Sequence, residues 1–235
     1  VFAAINAAAA SDATILIMGE SGTGKELVAG AIHQRSMRRT SPLLAVNCSA
    51  LTESLLESEL FGHVKGAFTG AVNKTVGKFQ AANGGTLFLD EITNMPISSQ
   101  VTLLRALQEK KVCAVGGVRS ADINVRLLAA SNQDLEDAVK AKTFRKDLFY
   151  RMNEFTIRIP PLRERKEDIV YLANRFLANT NIELGKGVEG FSKEAMDALL
   201  TYHWPGNVRQ FRSTVRRAVL LADDLITEKH LDMRE

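Results

Sequence analysis

The chain has 235 residues, 46% hydrophobic and 24% charged, which excludes a disordered or fibrous protein and fits one large domain or one with a small companion. A formal charge of +3 excludes the basic excess of a histone-like binder. Two cysteines, Cys48 and Cys113, make no disulfide framework, the four histidines lack metal-ligand spacing, and no apolar stretch is long enough to span a bilayer. With no secretory leader at the start, these features predict a reducing, cytoplasmic setting without membrane insertion. A start at Val1 rather than Met reads as a piece cut from a longer protein.

In chain order, residues 14–18 (TILIM), 43–47 (LLAVN), 86–90 (TLFLD), 126–131 (RLLAAS) and 155–159 (FTIRI) are short apolar runs of the buried-strand type. Helical patterns separate them. One is entered through Pro96 and carries Ile97, Val101, Leu104 and Leu107 at spacings of three and four. Strands alternating with helices predict a mostly parallel sheet covered on both faces. After IPPLRER (159–165) only helical periodicity remains. Ala195, Ala198, Leu199 and Tyr202 share a face behind Ser192, and Val208, Phe211, Val215, Val219 and Ala222 form a second stripe. Because Pro160 and Pro161 continue neither a helix nor a central strand, the boundary is expected near 161, giving an α/β unit over 1–161 and a helical unit over 162–235.

Directly after the first strand stands GESGTGKE, with Gly19, Gly24 and Lys25 in GxxxxGK spacing. Glycines let backbone N–H groups wrap phosphates, the following helix aims its N-terminus at them, and the Lys reaches the outer phosphates. Glu26 replaces the usual Ser or Thr, so the hydroxyl that would hold Mg²⁺ is missing. The third strand ends in Asp90 and Glu91, at the sheet end where open parallel sheets bind ligands. An Asp there suits Mg²⁺ coordination through water, and a Glu suits orientation or deprotonation of the attacking water; the alternative is a pair of solvated acids. Asn132, after the fourth strand, fits either a γ-phosphate contact or a cap for the helix that follows.

GAFTGA at 66–71, inside ESELFGHVKGAFTGA, follows from no general nucleotide-binding argument. With GESGTGKE, GGTLFLDEI (84–92), FRKDLFYR (144–151), IPPLRER and WPGNVR (204–209), the chain resembles the central AAA+ ATPase domain of bacterial enhancer-binding proteins, the activators of sigma-54 RNA polymerase. The resemblance covers nearly the whole chain. It implies an α/β fold: an AAA+ P-loop three-layer αβα core with a five-stranded parallel sheet, plus a small C-terminal all-helical lid. It also implies ATP hydrolysed to ADP with Mg²⁺, a homo-oligomeric ring, sigma-54 as partner, and promoter DNA met only indirectly or through other domains.

Position by position, the resemblance makes Gly19, Glu20, Ser21, Gly22, Thr23, Gly24, Lys25 and Glu26 the Walker A loop, and Asp90 with Glu91 the Walker B pair. Asn47 becomes a switch that holds the Glu from water. Ser131 and Asn132 become sensor I, and Arg209 sensor II. Arg145 and Arg151 become arginine fingers that reach a neighbouring subunit's γ-phosphate; without the resemblance they are ordinary solvated charges. Gly66, Ala67, Phe68, Thr69, Gly70 and Ala71 become the loop that engages sigma-54 and moves with nucleotide state. Residues 110–125, turning at Gly116 and Gly117, would flank it. In an unrelated protein the same hexapeptide would read as a packed turn with Phe68 in the core.

The chain departs from the family at Thr93 and Asn94, where Gly or an acid is usual, and at Gln210, Phe211 and Ser213, accompanied by Arg212, Arg216 and Arg217. Two other functions fit parts of the sequence. A different AAA+ motor, chelatase-like or helicase-loader-like, would share the phosphate loop but not need GAFTGA. A nucleic-acid module would use Arg209, Arg212, Arg216 and Arg217 on one helix.

Overall fold

A computed structural model describes residues 1–68 and 70–233. They form two compact units, one of Val1–Gly19 with Lys25–Ile159, the other of Glu20–Gly24 with the residues from Pro160 on. The first holds strands β1 (Ile15–Met18), β2 (Leu43–Asn47), β3 (Thr86–Asp90), β4 (Arg126–Ser131) and β5 (Phe155–Arg158), within a residue of the runs read from the sequence. All pair in parallel, in the order β2-β3-β4-β1-β5. The unit also holds helices α1 (Phe2–Ala9), α2 (Lys25–Arg35), α3 (Glu53–Phe61), α4 (Lys78–Ala81), α5 (Ile97–Glu109), α6 (Leu135–Lys140) and α7 (Lys146–Met152).

Side chains alternate across the strands, and both faces are buried. Leu16, Leu87, Leu89, Leu127 and Ala129 enter a core with Leu60, Phe61, Leu103 and Leu148. Ile15, Ile17, Phe88, Leu128 and Ala130 enter a second core with Ile5, Ala29 and Ile32. The result is a three-layer αβα arrangement. Each fully buried aliphatic side chain contributes about 1.5–3 kcal/mol of transfer free energy, so continuous apolar runs specify these strands strongly.

Helix α5 starts at Pro96 as its sequence predicts, but its buried face is shifted. Leu104 is buried and Ile97 is 44% exposed, while Ser99, Gln100 and Leu103 are fully buried. Burying the Gln100 amide is tolerated because its Nε2 donates to Met95 O (2.8 Å) and Thr143 O (3.0 Å), and its Oε1 accepts the Arg145 N–H (2.8 Å).

The second unit contains α8 (Lys166–Leu184), α9 (Lys193–Thr201) and α10 (Asn207–Leu221). Ser192 caps α9, its hydroxyl accepting the Ala195 N–H at 3.2 Å. Of the two predicted stripes, Ala195, Leu199, Phe211, Val215, Val219 and Ala222 are fully buried, while Ala198, Tyr202 and Val208 are only partly buried against the same core. At their centre Trp204 donates its indole N–H to Leu199 O (2.8 Å) and meets Tyr202 and Phe211 edge-on. Among the described residues no helix is long and apolar enough to cross a membrane.

Candidate functional site

In the first unit the parallel register brings the predicted residues to one edge. Asn47 and Asp90 are partners at the carboxyl ends of β2 and β3, Met18 pairs with Ser131 on β1 and β4, and the Gly19 N–H donates to Ser131 O at 3.2 Å. Lys25 opens α2 and is 8% exposed; its ammonium donates to Gly19 O at 2.8 Å. Glu26 lies exposed in the first helical turn. Asp90 is half-buried, and its Oδ1 accepts the Glu91 N–H at 2.9 Å.

Glu91 occupies the left-handed region (φ 52°, ψ 46°), a conformation that costs a non-glycine residue about 1–3 kcal/mol. The surrounding turn holds it there: the Asn94 N–H donates to Glu91 O (2.9 Å) and the Asn94 amide to Glu91 Oε2 (3.4 Å). The Asn47 amide oxygen is engaged by Ser49, from its N–H at 2.8 Å and its hydroxyl at 2.7 Å. Asn94, which the sequence marks only as a departure, is therefore the amide in contact with Glu91. Between these residues Cys48 is buried, and burial, aided by the Asp90 and Glu91 charges, pushes its thiol pKa up to about 12. It stays protonated at neutral pH.

Ser131 is fully buried and turns its hydroxyl back on its own chain, donating to Gln133 O (2.6 Å) and accepting the Gln133 N–H (3.1 Å). Asn132 is exposed and is not the cap of α6. Asp134 is, its carboxylate accepting the Glu136 N–H at 2.8 Å. The later acid sits one residue before the helix, where an N-cap side chain must be.

Arg145 precedes α7 and forms a two-pronged pair with Asp147 (3.0 and 2.6 Å). That pair holds the Asp147 carboxyl below its ordinary pKa and raises the guanidinium's. Arg151 pairs with Glu154. Both arginines thus rest on acids of their own segment. Gln100, which fixes the Arg145 backbone, carries no local sequence signal, because two of its three partners, Thr143 and Arg145, lie 43 and 45 residues away.

The hexapeptide loop is closed by hydrogen bonds from Gly66 N to Ala71 O (2.8 Å) and from Ala71 N to Phe68 O (3.0 Å). Gly66 and Gly70 both have left-handed φ, 82° and 105°. Ala71 is buried and Phe68 half-buried, edge-on to His63 at 5.1 Å; Thr69 lies outside the described residues. His63 is itself buried and held by Ser58 of α3 (2.6 Å). The second loop braces this base, through Val64 N to Val115 O (3.1 Å) and Val115 N to Gly62 O (2.9 Å), and Gly116 lies against Ala67. The 110–125 segment, predicted as a loop, contains a short hairpin of Lys111–Cys113 with Ser120–Asp122.

In the second unit the stretch Glu20–Gly24 is fastened to the helical residues. Both Glu20 carboxylate oxygens accept from Arg163, at 2.6 and 2.9 Å. Asn207 is fully buried with its amide satisfied: it donates to Glu20 (3.0 Å) and Ser21 O (3.0 Å) and accepts the Leu162 N–H (2.8 Å). Arg163, and secondarily Asn207, hold the Glu20 carboxyl below its ordinary pKa. Thr23 is buried, with its hydroxyl on Glu20 O (2.8 Å), and Arg209 reaches the Ser21 hydroxyl at 3.2 Å.

Gly22 has φ +79°, and a Cβ there would lie 2.4 Å from Gly206 O. Gly22→Ala is therefore expected to lower stability by about 1–3 kcal/mol and weaken nucleotide binding together. Thermal unfolding with and without nucleotide checks this; an unchanged midpoint would show that the loop yields freely.

Two of the arginines that suggested a nucleic-acid face are spent on acids: Arg216 on Glu183 (2.8 Å) and Arg217 on Asp232 (2.5 Å). Arg209 donates to the neutral Ser21 hydroxyl and keeps its charge uncompensated by it, so Arg209 and Arg212 are the two of the four with no ion pair among the described residues. Among the described residues no group of three or more His, Cys, Asp or Glu is placed to hold a metal ion. Asp90 nonetheless fits Mg²⁺, which takes one or two carboxylates and completes its shell with phosphate oxygens and water.

Profiles of known families match both parts of the chain, the "Sigma-54 interaction domain" over residues 1–158 and the "AAA+ ATPase lid domain" over 163–234. The transcriptional regulatory protein ZraR of Klebsiella oxytoca is 54% identical over 230 residues, covering 97% of this chain and 52% of ZraR. The DNA-binding transcriptional activator HyfR of Escherichia coli K12 is 49% identical over 231 residues, 98% of this chain and 34% of HyfR. Of solved structures, Brucella abortus NtrX in complex with ADP superposes with TM-score 0.90 at 35% identity, covering 98% of this chain and 52% of NtrX. The chain thus spans about half or less of the length of these relatives. It belongs to the sigma-54 interaction domain family of AAA+ ATPases.

Proposed function

We propose that this domain hydrolyses ATP with Mg²⁺ at interfaces within a homo-oligomeric ring, and that the resulting movement of the 66–71 loop remodels the sigma-54 RNA polymerase closed complex to activate transcription. The observation that carries this reading is that one chain holds both a Walker-type edge, with Lys25 opening α2 after β1 and Asp90 and Glu91 at the carboxyl end of β3, and a glycine-hinged GAFTGA loop braced by His63 and Val115.

In this reading the backbone of Gly19–Gly24 wraps the phosphates while Lys25 neutralises the outer ones. Mg²⁺, held through Asp90, supplies charge neutralisation on the transferred phosphoryl group. Glu91 orients the attacking water and takes its proton, and Asn94, already touching that carboxylate, shares with Asn47 the control of when it is free. Asn132 contacts the γ-phosphate or the water. Arg145 and Arg151 leave Asp147 and Glu154 to spread charge on a neighbour's γ-phosphate, an effect worth about 10³–10⁵ in rate when a finger is supplied in trans. Arg209 reports nucleotide from the helical unit. The loop does work only if its contacts with sigma-54 differ between ATP, transition and ADP states. Phe68, half-buried on His63, has an apolar surface to offer such a partner.

A pull-down with ADP and aluminium fluoride tests this function. Trapped protein is expected to retain sigma-54, and the apo and ADP forms to release it. Protein that hydrolyses ATP yet fails to bind sigma-54 when trapped would point to a different AAA+ motor.

A further inference from the structure

A cavity of about 170 Å³ lies in the first unit at the amino-terminal end of the sheet. Its wall includes Thr14, just before β1, Arg126, which opens β4, and Glu154, just before β5. The Walker-type residues occupy the opposite, carboxyl ends of the same strands. Four cations line this cavity, Arg38, Lys110, Arg126 and Arg151, against two acids, Asp12 and Glu154, which leaves an excess of two positive charges.

The excess is localised. Arg38 is saturated, pairing with both Asp12 oxygens (3.1 and 2.7 Å) and donating to Gly85 O, Asn124 O and Asn124 Oδ1. Arg151 is paired with Glu154, whose other oxygen accepts the Thr14 N–H at 2.9 Å. Arg126 is different. It is 2% exposed, only its Nη2 has a partner, Ala8 O at 2.6 Å, and its Nε and Nη1 are buried without one among the described residues. Lys110, the last residue before the hairpin, makes no ion pair among the described residues.

A guanidinium keeps its proton in a protein, so burial cannot be relieved by neutralisation. Burial depresses the Arg126 pKa although the Asp12 charge acts to raise it, the direction expected for a buried cation whose counter-charge is incomplete. A buried charge whose compensation is incomplete is costly for a fold to carry. What relieves it must bring negative charge and several acceptor oxygens, and must fit a space too small for a nucleotide.

We propose that this cavity is a binding site for a small tetrahedral oxyanion, of the class of inorganic phosphate or sulfate, with Arg126 as its inner donor and Lys110 as its outer cation. A dianion matches the twofold charge excess, and its oxygens supply acceptors for the buried N–H groups of Arg126. The site is separate from the phosphate loop, which follows the other end of β1.

Equilibrium dialysis with radiolabelled inorganic phosphate tests the proposal, with the nucleotide site saturated by a non-hydrolysable ATP analogue so that Lys25 and its loop are blocked. One phosphate per chain is expected to remain bound, sulfate is expected to compete, and Arg126→Met and Lys110→Met are each expected to weaken binding about tenfold or more. Lys110 is exposed, so its variant keeps the test open if Arg126→Met fails to fold. Phosphate fully displaced by the analogue, affinity unchanged in Lys110→Met, or a crystal grown in phosphate that holds only water at Arg126 would each overturn the proposal.

Discussion

Glu91→Gln is expected to lower ATP turnover by about 10²–10⁴-fold while leaving nucleotide affinity within a factor of about two, because it removes a proton acceptor and little else. The substitution is nearly isosteric. Gln tolerates the left-handed backbone as poorly or as well as Glu, so the strain at φ 52° is unchanged. The amide can still accept from Asn94, so the turn is retained. Asp90 keeps its bond to the residue 91 N–H, and with it the carboxylate assigned to Mg²⁺. Single-turnover hydrolysis and fluorescent-nucleotide titration separate the two effects. Turnover within threefold of the parent would show that another group activates water. Asn94→Ala offers a companion measurement: if Asn94 restrains Glu91, its loss changes turnover without changing affinity.

Asn207→Leu is expected to be the most destabilising single change in the helical unit that leaves its apolar core intact, at about 3 kcal/mol or more. The side chain is fully buried and makes three hydrogen bonds, one to a carboxylate. Removing it takes their Asn207 partner from the Leu162 N–H and Ser21 O, at about 1–3 kcal/mol apiece, while the Glu20 oxygen it served keeps its bond from Arg163. Asn207 also has left-handed φ (50°), which Asn tolerates and Leu does not. Calorimetric unfolding and nucleotide titration should therefore fall together. A variant with normal stability but weak nucleotide binding would mean that water replaces the lost bonds. The associated acid has a definite pH signature. Because the Glu20 pKa is depressed in the folded state, its contribution is fully present above the ordinary carboxylate pKa and is lost as pH falls through the depressed value. Removing Arg163, its principal partner, should flatten that acid limb.

The sheet was legible because parallel strands buried on both faces write themselves as uninterrupted apolar runs, and β1 to β5 follow them to within a residue. The helical stripes of α9 and α10 were legible for the same reason: their burial is decided by local periodicity. Periodicity misled on α5, where Ile97 is exposed in the first turn and Gln100 is buried. No local pattern announces a buried amide whose partners are Met95, Thr143 and Arg145. Asn207 and Arg126 are hidden in the same way, since their partners lie 45 to 187 residues away. At the candidate site the residue types were legible from motif spacing. Their present partners were not, and Asn94 rather than Asn47 on Glu91 is the clearest instance.

The pairing of Glu20–Gly24 with the helical residues bears on how this protein could be recombined. A lid exchanged at the Pro160 junction would bring new residues at 163, 206 and 207 against the old ones at 20 to 22. Such a chimera would take the strand edge bearing Asn47, Asp90 and Glu91 from one parent and the contacts of residues 20 to 24 from the other. The exchangeable module is therefore discontinuous in sequence, and a graft that carries five residues from the front of the chain along with the lid is the one that should keep its grip on nucleotide.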